Sequence, residues 1–452
     1  MKKAINRRDF LRSTAAVGAG LVLAPKSFGI NSGSKADDLN VALLGAGAQG
    51  QVLMHACTKI PGIRFKAVCD IWTAYNLKRL SGMLRKLGHQ HNTYVDYQEM
   101  LDKEKDLDAV LIATPDFWHA KHAVACLKAG LHVYCEKEMS NTLEGARKIV
   151  KAARESGKLL QIGHQRRSNP KYLHSYHKLL KDANILGRIT TINGQWNRSA
   201  RPDLAWPKKW AIDQATLEKY GFKSMQQFRN WRWYKGLGGG PIVDLGSHQI
   251  DIYTWFLGAN PKSVIATGGT DYYDKKNHEW YDTVMAIYEY EYQYQKDKKG
   301  TVRAYYQTIT TNSSWGYHET FMGDQGTLEI SEAGARGELY REPESPNWDK
   351  WVKKGYLIAP IEPVEEEKEP ESEAFLDVRE TVAPPAYDIP VVMDKPYHQP
   401  HLENFFNAIR DRNVKLNCPP EVGYETAVAV LKVNEAVEAG CRLNFKPEEF
   451  EI

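Results

Sequence analysis

The chain has 452 residues, with 60 lysines and arginines against 56 acids, a net charge of +4 and 42% hydrophobic residues. That composition supports two or three cored domains, and so slight a basic excess, without a Lys/Arg stripe or an aromatic–glycine motif, argues against a nucleic-acid partner. The six cysteines form no Cys-x-x-Cys pair and read as buried thiols, not as a disulfide framework or a zinc site.

Residues 1–30 are set apart from fold reasoning as a targeting segment. Arg7 and Arg8 precede Phe10, Leu11 and a mildly apolar run over 15–24, too short to span a hydrocarbon layer of ~30 Å. The segment resembles a twin-arginine export signal, a receptor-read address and not an anchor. It implies a periplasmic protein with no stable membrane anchor. Residues 31–38 read as a polar linker.

From 39 to 163, apolar runs alternate with amphipathic stretches. Strands are predicted over 39–44, 65–69, 109–113, 131–135 and 159–163, and helices over 49–60, 73–87, 119–129 and 142–156. Continuous apolar strands joined by helices predict an α/β domain, a doubly wound parallel sheet covered on both faces. Gly45-Ala46-Gly47-Ala48-Gln49-Gly50 joins the first strand to the first helix. Gly45 permits the tight turn, Gly47 lets backbone N–H groups approach a pyrophosphate, and Gly50 allows close helix–strand packing. The helix N-terminus then stabilises the anion. Asp70 closes the second strand, where a carboxylate suits the ribose hydroxyls of adenosine and repels a 2′-phosphate, so NAD is favoured over NADP. Thr114 and Pro115 follow the third strand at the ligand-binding edge, and His119 opens the next helix as a candidate contact near the nicotinamide.

Glu136 and Lys137 end the next strand, in "VYCEKEMSNT". A lysine there is either a solvated turn residue or a donor to a substrate hydroxyl, favouring its alkoxide. "GHQRRSNP" then leaves the last strand of this sheet. It places His164 and Arg166 toward the nicotinamide end of the cleft as substrate-side candidates, although an arginine there can also simply pair with an acid.

From about Ile189 the rhythm changes to strands, several with period-two alternation, which predicts that 164–452 form an α+β domain with a large, open, mostly antiparallel sheet. Trp231 and Tyr234 are candidates for a sugar-stacking wall or for an aromatic core. "GGGPIVDLGSHQIDIYTWFLG" reads as a helix opened by Pro241 and stopped by Gly258. Asp244, His248 and Asp251 recur on one face of it. An Asp–His pair can act as an acid–base unit on a substrate hydroxyl. The same triple could ligate a metal or form a structural polar face, but no further ligand set stands out and no metal is expected. Residues 334–396, with "PVEEEKEPESEAF", read as a long surface excursion with a solvated acidic run.

Taken together, the glycine fingerprint, the Ala-Thr-Pro and Glu-Lys strand ends, the GGG-x-x-x-Asp-x-Gly-x-His-x-x-Asp helix and the late "GDQGTLEI" strand resemble the Gfo/Idh/MocA oxidoreductase family. The likeness runs over nearly all of 39–439 apart from the acidic excursion. It implies a Rossmann domain joined to an open-sheet domain, NAD(P), a sugar, polyol or glycoside substrate, and homo-oligomers built through the open sheet. It also implies Lys137, Asp244 and His248 as the active-site trio. One departure is Glu138, where the family usually has proline. A cis bond before a non-proline residue costs ~2.5–4 kcal/mol, so a trans bond is expected. The resulting expectation is an exported NAD-dependent sugar oxidoreductase whose NAD is loaded before export, tightly held and recycled internally. The alternative is an NAD-cycling glycosidase or lyase acting through a transient keto-sugar. A nucleotide-holding protein without turnover is disfavoured by the retained trio.

Overall fold

Short apolar runs bounded by glycine loops form the first sheet. The computed structural model describes residues 37–334, 336–360 and 386–452. Strands β1 (Leu39–Leu44), β2 (Ile63–Cys69), β3 (Asn92–Tyr94), β4 (Ala109–Ile112), β5 (His132–Cys135) and β6 (Leu160–Ile162) follow the order β3-β2-β1-β4-β5-β6. All neighbours are parallel. The direction of strand order reverses at β1, and Leu44 aligns with both Cys69 and Ile112. This puts the β1, β2 and β4 carboxyl ends side by side at the switch point where open α/β sheets bind ligands. Strand β3 escaped the sequence reading because only Tyr94 of its three residues is buried.

The second sheet comprises β7 (Ile189–Asn197), β8 (Pro261–Gly269), β9 (Thr283–Gln295), β10 (Lys298–Ile309), β11 (Tyr317–Gly323), β12 (Gly326–Ile330), β13 (Gly337–Arg341), β14 (Ala386–Asp388) and β15 (Leu443–Asn444). Its order is β14-β13-β12-β11-β7-β10-β9-β8-β15, and β7 runs parallel to β10 while the other pairs are antiparallel. Alternation sorts the faces. Val284, Ala286, Tyr288 and Tyr290 of β9 are buried, whereas Met285 and Ile287 are exposed. Helices Gly240–Leu257 and Pro420–Ala439 cover the buried face, where Tyr253 and Tyr288 hydroxyls donate to the carbonyls of Tyr305 and Ala429.

Two expectations about organisation change. Part of the expected excursion is sheet: β13 and β14 extend the edge beyond β12, with Leu339, Trp348 and Leu357 buried beneath. The acidic run itself, like the targeting segment and residues 31–36 of the linker, lies outside the described residues. The second boundary expectation placed everything after 163 in one domain. Helix Gln399–Arg410 instead returns to the parallel sheet, packing Leu402, Phe405 and Phe406 against Val41, Leu43 and Leu111. Of the cysteines, five are buried and Cys441 is exposed.

Candidate active site

A cleft of about 760 Å³ lies over the carboxyl ends of the parallel strands and is closed by elements of the second sheet. Its nucleotide side is built by glycine. Gly45 has φ +93, and a Cβ there would sit 2.5 Å from the Ala113 carbonyl oxygen. A Cβ on Gly50 would lie 1.9 Å from the Gly45 carbonyl oxygen, so the helix can seat on the strand only with glycine. Gly47 meets only Asn76, at 3.8 Å, and no side chain caps helix Ala48–Cys57. Its first N–H groups are thus free for an anion. Asp70 lines the cleft, and its carboxylate accepts from the Ala46 and Trp72 N–H groups at 2.7 Å. Burial raises the Asp70 pKa, against those two bonds. Thr114, Pro115, Ala48 and Gln49 line the same cleft. This uncapped helix end, collision-tight turn and strand-end acid fit a dinucleotide. Ala46 and Gly50 act behind the surface, one by fixing Asp70 and the other by close packing.

A segment that follows β7 walls this side. Trp72 Nε1 donates to the Trp210 carbonyl at 2.5 Å, Trp118 Nε1 to the Tyr220 carbonyl at 3.1 Å, and the Tyr220 hydroxyl to the Val95 carbonyl at 3.2 Å. Phe222, Phe228 and Trp231 complete the wall.

The chemical end is assembled across the two sheets. Lys137 Nζ donates to the Asp244 carbonyl at 2.5 Å and pairs with Asp244 Oδ1 at 3.1 Å. Arg232 Nε reaches the same Oδ1 at 3.1 Å. Burial by itself would raise the Asp244 pKa, but Arg232, Lys137 and Arg198 together hold it well below the carboxylate range. One helical turn on, His248 tilts against Trp196 at 5.4 Å, and Trp196 stacks on Tyr317 at 4.4 Å. Burial, reinforced by Lys137 and Arg166, pushes His248 well below its ordinary pKa, so the imidazole is neutral. Its Nδ1 has no partner among the described residues. Glu136 accepts from Gln49 Nε2 at 2.9 Å, and the same nitrogen is 2.9 Å from His398 Nε2. Burial pushes Glu136 up to about 7, against that bond and the Lys137 charge. Asp116, at the start of its helix, is also pushed up to about 7 by burial, with Arg232 and Lys137 opposing.

Several sequence expectations are corrected here. The Lys137–Glu138 bond is cis, not trans. The expectation weighed the isolated peptide bond; in the fold, Glu138 is fixed by tertiary contacts. Its carbonyl faces His119 Nδ1 at 2.8 Å, and its buried carboxyl accepts from the Met139 N–H at 2.7 Å. His119 is fully buried and bridges the Thr114 and Glu138 carbonyls, so it braces two cleft loops without lining the cleft. Arg166 is 1% exposed and ion-paired to Glu319, with Glu332 at 3.7 Å. His164 is equally buried, and neither lines the cleft. Gln165 between them does. Asp251 shares a helix with Asp244 but is bound by Arg167 at 2.8 Å and by Thr426 at 2.9 Å. Among the described residues no cluster of three or more His, Cys, Asp or Glu side chains could hold a metal ion. Trp231 lines the cleft with Trp233, while Tyr234 turns toward Asn277.

The cleft also gathers Asp116, Trp196, Arg198, Arg232, Tyr317 and His398, which the sequence reading did not select. Asp116 directly follows Pro115, and Arg232 sits between two tryptophans. The others stand at strand or helix ends far apart in sequence and carry no local signal.

Comparison with known proteins agrees with this architecture. A model of the oxidoreductase family with NAD-binding Rossmann fold matches residues 39–164, a Gfo/Idh/MocA C-terminal domain model matches 176–329, and a twin-arginine translocation signal matches 4–24. The chain therefore carries an export signal. Inositol 2-dehydrogenase of Rubrobacter xylanophilus is 31% identical over 183 residues, which is 39% of this chain and 49% of that protein. The scyllo-inositol 2-dehydrogenase (NADP(+)) IolW of Bacillus subtilis is 29% identical over 237 residues, 51% of this chain and 55% of that protein. The chain thus spans about half the length of the curated relatives it matches. The fold is shared with the WlbA dehydrogenase from Bordetella pertussis, solved with NADH and UDP-GlcNAcA, at 19% identity and a TM-score of 0.63 over 90% of this chain and 99% of that one. With one family model on the parallel-sheet half and another on the open-sheet half, the chain belongs to the Gfo/Idh/MocA family of oxidoreductases with an NAD-binding Rossmann domain.

Proposed function

We propose that the protein is an NAD-dependent oxidoreductase acting on a carbinol carbon of a sugar, polyol or glycoside in the periplasm. The observation that carries this reading is the meeting of Lys137, Asp244 and His248 in one cleft with the Gly45–Gly47 turn and Asp70. The glycine turn, the Ala48 helix end, Asp70, Thr114, Pro115 and Glu136 would hold NAD. When bound, the nicotinamide supplies the hydride acceptor or donor. His248, kept neutral by burial, takes the hydroxyl proton as the C–H hydrogen leaves with its electron pair and a ketone forms; reduction reverses both transfers. Lys137 donates a hydrogen bond to the same oxygen, stabilising negative charge as it develops. Asp244 and Arg232 fix the ammonium in place. Trp196 and Tyr317 offer an aromatic platform to a sugar face. The inositol dehydrogenases among the relatives support a polyol or sugar.

Export argues for tight cofactor retention, because little free NAD awaits an exported protein. The aromatic wall over the nucleotide side suits NAD that is loaded before export and recycled within the site. A second reading, the NAD-cycling glycosidase or lyase, is favoured by Asp116 and Glu136. Carboxyls near pH 7 in the same cleft suit proton transfer at the carbon beside a new ketone and at a leaving oxygen.

Denaturing the purified mature protein and identifying released nucleotide by mass spectrometry tests retention; near-stoichiometric NAD(H) is expected, and an empty protein would overturn it. Incubation with free sugars and glycosides should yield keto-sugars. Cleaved glycoside without net cofactor reduction would select the second reading, and neither product would remove both.

A further inference from the structure

Beside the candidate active site, a side cavity of about 100 Å³ opens between Arg198, Arg232, Asp244 and Thr310. At roughly 30 Å³ per water, it has room for a small polar group. Its charges do not balance. Lys137 and Arg232 both spend contacts on Asp244. Arg198 has no carboxylate within ion-pair range and no side-chain hydrogen bond among the described residues. Its guanidinium lies 5.1 Å over the Trp196 ring instead. Of the other acids of the cleft wall, Asp70 accepts from the Ala46 and Trp72 N–H groups, Glu136 from Gln49, Glu332 from Gln165 with Arg166 nearby, and Asp203 from Gln226 with His278 beside it, while Asp116 is pushed up to about 7 by burial against the Arg232 and Lys137 charges. Three cations, Lys137, Arg198 and Arg232, thus stand around Asp244, with Lys137 and Arg232 in contact with it and Arg198 paired to no carboxylate. A half-buried guanidinium without a directly paired carboxylate is costly, and a planar fork matches a carboxylate better than any neutral hydroxyl.

We propose that the substrate is an acidic sugar, a uronic acid or its glycoside, whose carboxylate seats in this side cavity on Arg198 and the free guanidinium nitrogens of Arg232. This rests on the oxidoreductase reading, since it places the reacting carbinol beside Lys137 and His248. Arg198 is then the residue that sets specificity, and the Trp196 ring holds its guanidinium plane.

The test uses the purified mature protein with its bound nucleotide. Glucuronate, galacturonate and their methyl glycosides are compared with the matching uronamides, which keep shape and lose charge, and with glucose 6-phosphate. Charge-assisted hydrogen bonds of this kind predict kcat/KM for uronates ~10- to 100-fold above that for uronamides. Arg198→Gln should collapse that ratio by the same factor, and Arg198→Lys should keep part of it. A wild-type ratio near unity, a ratio unmoved by Arg198→Gln, or preference for the phosphate would each overturn the proposal. The wild-type ratio decides even if a variant folds poorly. Thermal shift by glucuronate supplies a readout without turnover. Neutral sugars oxidised as well as uronates would sink the subsite and leave the oxidoreductase standing. A glucuronate shift present in wild type and absent in Arg198→Gln, with no sugar oxidised, would support the subsite and sink the oxidoreductase.

Discussion

Asp244 shows how single residues divide the labour of the site. It is half-buried yet ionised because Arg232 and Lys137 both reach its Oδ1, and the lysine thereby gains a fixed aim. Glu138 is the opposite case. It is 1% exposed, one of its carboxyl oxygens has no partner, and burial pushes it from an ordinary 4.5 up to about 8. Between those pH values the folded chain holds a proton that the unfolded chain has released. Its contribution to stability is thus full below pH 4.5 and is lost as pH rises through about 8. Glu138→Gln lacks this titration and can still accept from Met139. Its stability relative to wild type should therefore rise between acid and alkaline pH, by on the order of 2–4 kcal/mol. Urea unfolding at both extremes, at fixed NAD, checks this; a pH-independent difference would contradict it.

At the scale of elements, the glycine turn was legible because its demands are local: strand, turn and helix succeed one another within a few residues. A Cβ on Gly50 collides with the Gly45 carbonyl, whereas one on Gly47 meets only Asn76. Gly50→Ala should therefore cost ~1–3 kcal/mol by overpacking and lose bound nucleotide. Gly47→Ala should keep its stability and still lose nucleotide, which thermal melts and released-nucleotide assays will separate. What was illegible depends on distant partners. Nothing beside Arg166 announces Glu319, which claims it across the second sheet. Trp196, Arg198 and Tyr317 become neighbours only when β7 and β11 pair. The cis bond before Glu138 is likewise not announced by the dipeptide. Strands β13 and β14 were hidden in a stretch whose composition is dominated by its acidic run.

For the whole molecule, helices cover one face of the nine-stranded sheet. On the other, Ile265 of β8 stands opposite Ile287 of β9, which stands opposite Tyr305 of β10, and Met285 is nearby. Ile265 and Ile287 are each 46% exposed. An apolar stripe of this kind on an open sheet suits a second copy of the chain. Ile287→Glu should lower the mass seen by light scattering without changing nucleotide content; an unchanged mass would place assembly elsewhere. The sheet pairing itself was legible from period-two alternation, but which face remains open depends on where helices Gly240–Leu257 and Pro420–Ala439 pack.

In the proposed reaction hydride passes directly between the carbinol carbon and the nicotinamide, in the cleft where Lys137 and His248 meet. Sugars and uronates deuterated at their carbinol carbons, incubated with the purified protein and followed by mass spectrometry of the released nucleotide, test it most directly. One deuterium is expected on the reduced nicotinamide released from the wild type, formed ~10²–10⁴-fold more slowly in Lys137→Ala and His248→Ala. Unlabelled nicotinamide with every sugar, or labelling at equal rates in both variants, would contradict it.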